Sequence, residues 1–223
     1  MKNKTQKVSV LFCILATLFT TCLMAANLFA LKQFTVGPAH FTGALLVFPI
    51  SYIINDVVAE VWGFRRARLL IWMAFGMNFL FVLLGALVDV LPGEGANVEA
   101  FHSIFGLAPR VAVASFLAFL VGSFVNAMVM SKMKVRTQGS RFALRAVVST
   151  LAGEACDSII FFPIALAGLV PWGMMPTFVL WQVGLKTLYE LIILPVTVRV
   201  VRIVKRHEGV DVYDRGLRYT IFK

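Results

Sequence analysis

Apolar residues fill most of the chain in long runs that are separated by short polar segments. Averaged over windows of about 19 residues, the sequence shows six such runs, each close to or above the roughly 20 residues that a helix needs to cross a bilayer. The six runs are residues 8–31, 42–62, 68–90, 110–131, 146–170 and 177–201. Backbone groups in lipid must be hydrogen-bonded within the protein, so such runs fold as helices. The pattern predicts an all-α membrane protein, with residues 1–223 forming a single domain of six transmembrane helices in one bundle.

The composition agrees with a membrane protein. The chain is 60% hydrophobic and 14% charged, with a mean hydropathy of +0.87, whereas soluble domains contain about 25% charged residues. The three cysteines lie inside the runs without paired spacing, so the sequence predicts neither a disulfide framework nor a metal site. No Walker motif or glycine-rich phosphate loop occurs, and no cofactor is expected.

Lysine and arginine occupy alternate ends of the successive runs. Eighteen of the 21 lie before the first run, between the second and third, between the fourth and fifth, or after the sixth. The three exceptions are Lys32, Arg110 and Lys186. By the positive-inside rule, both termini are cytoplasmic. The net charge of +10 therefore indicates topology, and nucleic acid is not expected as a partner.

The segments outside the runs lead to further expectations. The first run follows three lysines, as in a signal peptide, but it exceeds the roughly 7–15 apolar residues of a signal core, so we interpret it as a transmembrane helix. Residues 32–41 are predicted to form a turn. Residues 91–109 form an outer loop in which a short interfacial helix is predicted, the alternative being an unstructured acidic loop. Residues 205–223 are predicted to be a polar, partly disordered cytoplasmic tail.

Polar side chains inside the predicted spans are the strongest indication of function. An ionised side chain at the bilayer centre costs about 2.5–3.5 kcal/mol, so several of them facing lipid would cancel a net stability of about 5–15 kcal/mol. We therefore expect these residues to face one another or a hydrated cavity. They are Asn27, Asn55, Asp56, Glu60, Asn78, Asn126, Glu154, Asp157, Gln182, Lys186 and Glu190.

Helical spacing supports this convergence. Asp56 and Glu60 are four residues apart, which puts them on one face of the second helix. Lys186 and Glu190 have the same spacing on the sixth helix. Lys186 is the one cation predicted near the midplane, where it would pair with Glu190 or, across the bundle, with Asp157. Carboxylates left without a cation would favour their protonated form in a dry interior, a property that suits proton coupling.

A structural role is the alternative for these residues. The single asparagines on the first, third and fourth helices are of the kind that often bridges helices without binding a ligand. Glu60 belongs either to the polar site or to an interfacial ion pair with Arg65 and Arg66. The whole network is alternatively a set of buried charges that holds a membrane scaffold together and binds no ligand.

An enzymatic function is not indicated. The sequence contains no GxSxG, HExxH or GxGD motif. The three histidines, His40, His102 and His207, lie in or near loops rather than among the polar residues of the spans. We expect neither an intramembrane enzyme nor a chain that hydrolyses ATP.

Several stretches resemble the queuosine precursor transporters of the vitamin uptake transporter group. The resemblance begins with Asn27 and continues in FPISYIINDVVAEVWG (48–63) and the following RRAR. It extends through RVAVASFLAF (110–119) and STLAGEACDSIIFF (149–162) to Lys186 with Pro195. These stretches touch five of the six predicted helices.

The resemblance implies a carrier in the inner membrane of a bacterium. Its substrate would be 7-cyano-7-deazaguanine or 7-aminomethyl-7-deazaguanine, taken up for synthesis of the modified tRNA base queuosine. The alternative is a substrate-binding subunit of an ATP-driven energy-coupling-factor vitamin importer, a class that the family is similar to. The implied partners are a small-molecule substrate, a 7-deazapurine, and the lipid bilayer; a homo-oligomer is compatible with the sequence.

A deazapurine substrate would explain why acidic residues lie inside the predicted spans. A guanine-like ring carries an N1–H and an exocyclic amine side by side, and one carboxylate can accept both hydrogen bonds. We therefore expect Asp56, together with Asp157 or Glu190, to contact the ligand. Lys186 would position an acid or contact the ring carbonyl.

Aromatic and further polar residues complete the predicted substrate site. Phe48, Tyr52 or Phe161 would provide a face for stacking on the ring. The remaining predicted contacts are Glu154, Asn27 and Gln182.

Overall fold

The fold is described here from a computed structural model that covers residues 9–29, 32–36, 39–106, 109–166, 168 and 171–220. Within these ranges the chain forms seven α-helices, one two-stranded antiparallel hairpin and two short 3-10 turns. The helices are α1 (Val10–Phe29), α2 (Phe48–Trp62), α3 (Phe64–Asp89), α4 (Ala96–Phe105), α5 (Pro109–Arg136), α6 (Phe142–Leu166) and α7 (Met175–Glu208). The strands are β1 (Gln33–Val36) and β2 (Ala39–Thr42), and the 3-10 turns are Gly43–Leu46 and Trp172–Met174.

Four of the described helices are long and apolar enough to cross a membrane. They are α1, α3, the part of α5 from Val113 to Arg136 and the part of α6 from Phe142 to Ala165. The chain is therefore a helical, multi-pass membrane protein. The expected count of six spans is not confirmed, because α2 has only 15 residues and α7 is interrupted by charged side chains.

The short length of α2 follows from a hairpin that sequence analysis missed. The predicted second span began at residue 42, but β2 and a 3-10 turn occupy residues 39–46, and α2 begins only at Phe48. The segment 32–41, in which the sequence predicted a turn, contributes a pair of antiparallel strands on either side of positions 37–38, with Gln33 opposite Thr42. The turn signal itself, Gly37-Pro38, lies outside the described residues.

The tail also differs from its prediction. Residues 209–220 lie across the end of the bundle where α2 ends and α3 begins. The Val212 N–H donates to Val61 O at 3.0 Å, and Leu217 and Tyr219 pack against the buried core. The described part of the tail is thus packed on the helices rather than disordered.

The helix α4 lies within the outer segment 91–109, where the sequence suggested a short helix. It packs on α3, with the ring of Phe105 5.7 Å from that of Phe81 and also against Gly85. Its location at a membrane surface stays a prediction.

Two glycines allow α5 and α6 to pack closely. A Cβ atom at Gly122 would lie 2.9 Å from the carbonyl oxygen of Gly153, and a Cβ at Gly153 would lie 2.8 Å from that of Gly122. Small residues commonly permit such close helix contacts in membranes. This contact places Asn126 of α5 and Asp157 of α6 beside the helix–helix interface.

Replacing Gly153 with alanine is expected to lower the melting temperature. The added methyl meets backbone atoms, and overpacking of this kind costs about 1–3 kcal/mol, or roughly 2–4 °C per kcal/mol for a chain of this size. Gly76→Ala in α3 is the matched control, because a Cβ there has nothing within 4 Å. Thermal unfolding of both purified variants checks this, and equal melting temperatures would show that the α5–α6 contact is not tight.

Candidate functional site

Lys186 forms the centre of a buried ion-pair group between α6 and α7. Its Nζ lies 2.6 Å from Glu154 Oε2 and 3.5 Å from Asp157 Oδ2. The predicted pairing with Asp157 is present in the structure. The nearer partner is Glu154, rather than Glu190 on the same helix. One turn of α6 thus presents two acids to one lysine of α7.

Asp56 and Glu190 form a second pair of acids, between α2 and α7. They are 1% and 8% exposed and interact electrostatically with each other. Among the described residues, Asp56 Oδ1 and Glu190 Oε2 accept no hydrogen bond. Two buried carboxyl groups this close repel each other unless one of them carries a proton.

A chain of hydrogen bonds between polar side chains lies next to this acid pair and joins α2, α5 and α6. Asn55 Nδ2 donates to Asn126 Oδ1 at 3.0 Å, and Asn126 Nδ2 donates to Thr150 Oγ1 at 3.3 Å. Thr150 in turn interacts with Glu190. The sequence predicted that Asn55 would face the other polar residues of the spans but did not name it as a substrate contact, and it assigned no role to Thr150.

A cavity of about 130 Å³ lies beside Lys186 and is enclosed by α1, α3, α5, α6 and α7. We call it the Lys186 cavity. Its polar lining consists of Asn27, Asn78, Ser115, Asp157, Gln182 and Lys186, and its aromatic lining consists of Phe116, Phe119 and Phe161. Asn27 Nδ2 also donates to Asn78 Oδ1 at 3.0 Å, a contact that bridges α1 and α3.

Tyr52, a predicted stacking residue, does not line this cavity. It is buried, interacts with Glu154, and lines a separate small void with Asn55 and Ser123. Among the described side chains, Phe161 is the predicted stacking residue that reaches the cavity. The side chain of Phe48 lies outside the described part of the structure.

Glu60 belongs to a different cluster. It lies at the end of the bundle where α3 begins and α5 and α7 end, which we call the basic end because most lysines and arginines of these helices lie there. The two terminal nitrogens of the Arg145 guanidinium, Nη1 and Nη2, donate to its carboxylate, Nη2 at 3.0 Å, and Lys205 Nζ donates at 2.7 Å. Glu60 and Arg145 are 1% and 0% exposed. The interfacial ion pair that was considered with Arg65 and Arg66 is instead a buried one with residues of α6 and α7.

Lys134 and Asp211 complete this group, which we call the Glu60 cluster (Glu60, Lys134, Arg145, Lys205 and Asp211). Lys134 Nζ donates to the Glu60 backbone carbonyl and to the Asp211 carboxylate, and Lys205 Nζ lies 2.9 Å from Asp211 Oδ1. Burial raises the pKa of Asp211, but the two lysine hydrogen bonds outweigh it, so its pKa is lowered overall. Through these contacts the cluster holds the tail against α2, α5, α6 and α7.

The comparison with known families identifies the class of protein. Residues 42–200, most of the chain, match a family profile described as "Putative vitamin uptake transporter". The chain belongs to this family. The resemblance seen in the sequence is thereby confirmed, and so is the expectation of a transporter rather than an enzyme.

Three curated relatives are similar to this chain over part of their length. A "Probable queuosine precursor transporter" of Bacillus subtilis (strain 168) is 28% identical over 66% of this chain and 66% of its own. A protein of the same description from Haemophilus influenzae (strain Rd) is 29% identical over 67% of this chain and 58% of its own. The "Queuosine precursor transporter" of Escherichia coli (strain K12) is 27% identical over 56% and 55%. The matched part is thus just under two thirds of the first relative and little more than half of the others. No solved structure matches the chain significantly.

Proposed function

We propose that this chain imports 7-cyano-7-deazaguanine or 7-aminomethyl-7-deazaguanine across a bacterial inner membrane, and that the Lys186 cavity is its substrate site. The observation that carries this proposal is the lysine–aspartate pair at the wall of a cavity that also has an aromatic lining. The names of three curated relatives, each a queuosine precursor transporter, support the substrate class.

The pair matches the edge of a deazaguanine ring. That edge presents a carbonyl acceptor next to an N1–H donor and an amine donor. Lys186 Nζ, a donor, lies 3.5 Å from Asp157 Oδ2, an acceptor, so neighbouring groups of opposite type face the cavity. The ammonium would bind the ring carbonyl, the carboxylate would accept from N1–H and the amine, and Phe161 would stack on the ring.

The remaining polar residues continue from the cavity towards the basic end of the bundle. Along α7 the order is Lys186, Glu190 and then Lys205, and along α2 Asp56 precedes Glu60. We propose that the substrate meets Asp56 and Glu190 after leaving the cavity, and that this acid pair is where a coupling proton would be held.

Transport requires the site to open. A volume of about 130 Å³ is below the roughly 300–1,000 Å³ of ligand pockets, so a bicyclic ring enters only if lining helices move apart. Alternating access around a fixed site near the midplane provides such a movement. We further propose that α2 and α7 complete six spans with both termini cytoplasmic, since the basic residues of α3, α5, α6 and α7, apart from Arg110 and Lys186, lie at one end of the bundle.

Thermal unfolding with added ligands tests the proposal. The purified protein is mixed with each deazaguanine, with guanine and with unrelated vitamins. A ligand at 100 times its Kd stabilises the folded state by about 2.7 kcal/mol, which corresponds to roughly 5–10 °C at about 2–4 °C per kcal/mol. We expect this shift with a deazaguanine.

Two aspartate variants locate the binding site in the same assay. Asp157→Asn should lose most of the shift because an amide cannot accept two hydrogen bonds in the same way. Asp89→Asn is the control, since Asp89 pairs with His102 at the outer end of α3 and does not line the cavity. If a vitamin raised the melting temperature and neither deazaguanine did, the proposed substrate would be wrong. A full shift in Asp157→Asn would refute the site.

A further inference from the structure

A second and larger cavity lies at the basic end of the bundle. Its volume is about 1050 Å³, and it is enclosed by the start of α1, the junction of α2 with α3, and residues 208–218 of the tail. It is distinct from the Lys186 cavity, with which it shares no lining residue. This larger cavity has no part in the proposed transport path.

Five arginines line this cavity, which we call the arginine cleft. Arg65, Arg66 and Arg68 come from the first turns of α3, and Arg215 and Arg218 come from the tail. The described lining residues include two acids, Glu208 and Asp214, so the formal charges of these residues, five positive and two negative, leave an excess of three positive charges.

One of the two acids is already hydrogen-bonded within the protein. Asp214 Oδ2 accepts from the Phe64 N–H at 2.7 Å and from Ser131 Oγ at 2.5 Å. That carboxylate therefore caps the start of α3 and anchors the tail. Gathering like charges around one cavity is unfavourable unless an anion compensates them.

The two groups of arginines line the same cavity because the tail is fixed in place. Val212 N–H donates to Val61 O, and Arg68 donates to Thr220 O, each at 3.0 Å. Gly63 has a φ of +80°, and a Cβ at this position would lie 2.9 Å from side-chain atoms of both Val212 and Asp214. The junction between α2 and α3 therefore needs glycine for the tail to pack against it.

The floor of the cleft is apolar. The rings of Phe12 and Trp62 meet edge to face with their centroids 5.6 Å apart, and the Arg66 guanidinium lies 5.6 Å from the Phe12 centroid. Both aromatic residues line the cleft. A ligand that fits it would carry an anionic group for the rim and apolar atoms for the floor.

We propose that the arginine cleft binds a phosphate group. Guanidinium groups bind phosphate oxygens through paired, charge-assisted hydrogen bonds. Arg65, Arg215 and Arg218 are exposed and can reach an anion in the cleft. The phosphate is supplied either by the headgroup of an anionic phospholipid, which the apolar floor would suit, or by a soluble phosphate compound.

The test measures thermal unfolding of the full-length purified chain in mixed micelles. One series contains phosphatidylcholine alone, a second adds phosphatidylglycerol, and a third adds inorganic phosphate to phosphatidylcholine. We expect phosphatidylglycerol to raise the melting temperature by several degrees. The double variant Arg65→Gln/Arg218→Gln should lose this increase while melting like the wild type in phosphatidylcholine.

The matched control is Arg136→Gln/Arg202→Gln, which removes two exposed charges at the ends of α5 and α7 without touching the cleft. It should keep the phosphatidylglycerol effect. The same cleft-dependent increase with inorganic phosphate would identify a soluble ligand as the source. The proposal is overturned if the two double variants respond equally, since the effect would then be general surface attraction, or if neither additive stabilises the wild type.

Discussion

Replacing Lys186 with methionine is expected to abolish uptake. The lysine is the cation of a buried group, with Glu154 Oε2 2.6 Å and Asp157 Oδ2 3.5 Å from its Nζ. Methionine keeps similar bulk but leaves two acids facing each other without compensation. The lost hydrogen bond from the ammonium to the substrate carbonyl is worth about 1.5–3 kcal/mol, and about 1.4 kcal/mol is a factor of ten in binding. Substrate affinity should therefore fall by roughly one to two orders of magnitude.

Uptake is measured as queuosine in the tRNA of cells that depend on an external precursor, with the amount of protein in the membrane determined in parallel. Lys32→Met, an exposed lysine next to the hairpin, is the control and should transport normally. The double variant Lys186→Met/Glu154→Gln separates transport from folding. It should regain stability, because one acid is neutralised, and remain inactive, because the donor for the substrate is missing. Normal uptake by Lys186→Met would contradict the assignment of the site.

Replacing Glu60 with glutamine should produce the largest loss of stability. Glu60 holds Arg145 and Lys205 through side-chain contacts, and Arg145 is 0% exposed. The neutral amide leaves the buried Arg145 guanidinium without its carboxylate, whereas Lys205 keeps its contact with Asp211. The expected cost is about 3–5 kcal/mol, which at roughly 2–4 °C per kcal/mol lowers the melting temperature by about 6–20 °C.

Thermal unfolding in detergent measures this effect. Glu99→Gln is the control, because Glu99 is an exposed acid of α4, and its removal should change the melting temperature very little. A double-mutant cycle with Arg145→Met should show strong coupling, the double variant being more stable than the sum of the single effects predicts. If Glu60→Gln had the same melting temperature as Glu99→Gln, the Glu60 cluster would contribute little to the stability of the fold.

The two predictions concern neighbouring layers of the same bundle. Along α7, Lys186 and Lys205 lie on either side of Glu190, and along α2, Asp56 and Glu60 are one turn apart. The first layer faces a cavity, whereas the second is closed by the tail. A variant of the first layer is thus expected to lose transport even when neutralising Glu154 restores its stability, whereas a variant of the second layer is expected chiefly to lose stability.

The sequence by itself determined the class of the protein and which charged residues lie in the interior of the helix bundle. Lipid leaves the backbone no alternative to internal hydrogen bonding, so the apolar runs predicted helices correctly at α1, α3, α5 and α6. The energetic penalty for charges in hydrocarbon likewise predicted that Asp56, Asp157, Lys186 and Glu190 would lie in the interior of the bundle. Both arguments concern one segment and its solvent, so they need no knowledge of neighbouring helices.

Tertiary structure decided which of these residues meet. Lys186 and Glu190 share a helix face, yet the nearest acid to Lys186 is Glu154 of α6, and Glu60 pairs with Arg145 rather than with the adjacent arginines. Partner choice depends on the rotation and separation of whole helices, which contacts such as Gly122 against Gly153 fix. The packed tail has the same origin. Hydrogen bonds between segments far apart in sequence, such as Val212 N–H to Val61 O, hold it in place, and no local pattern encodes such contacts.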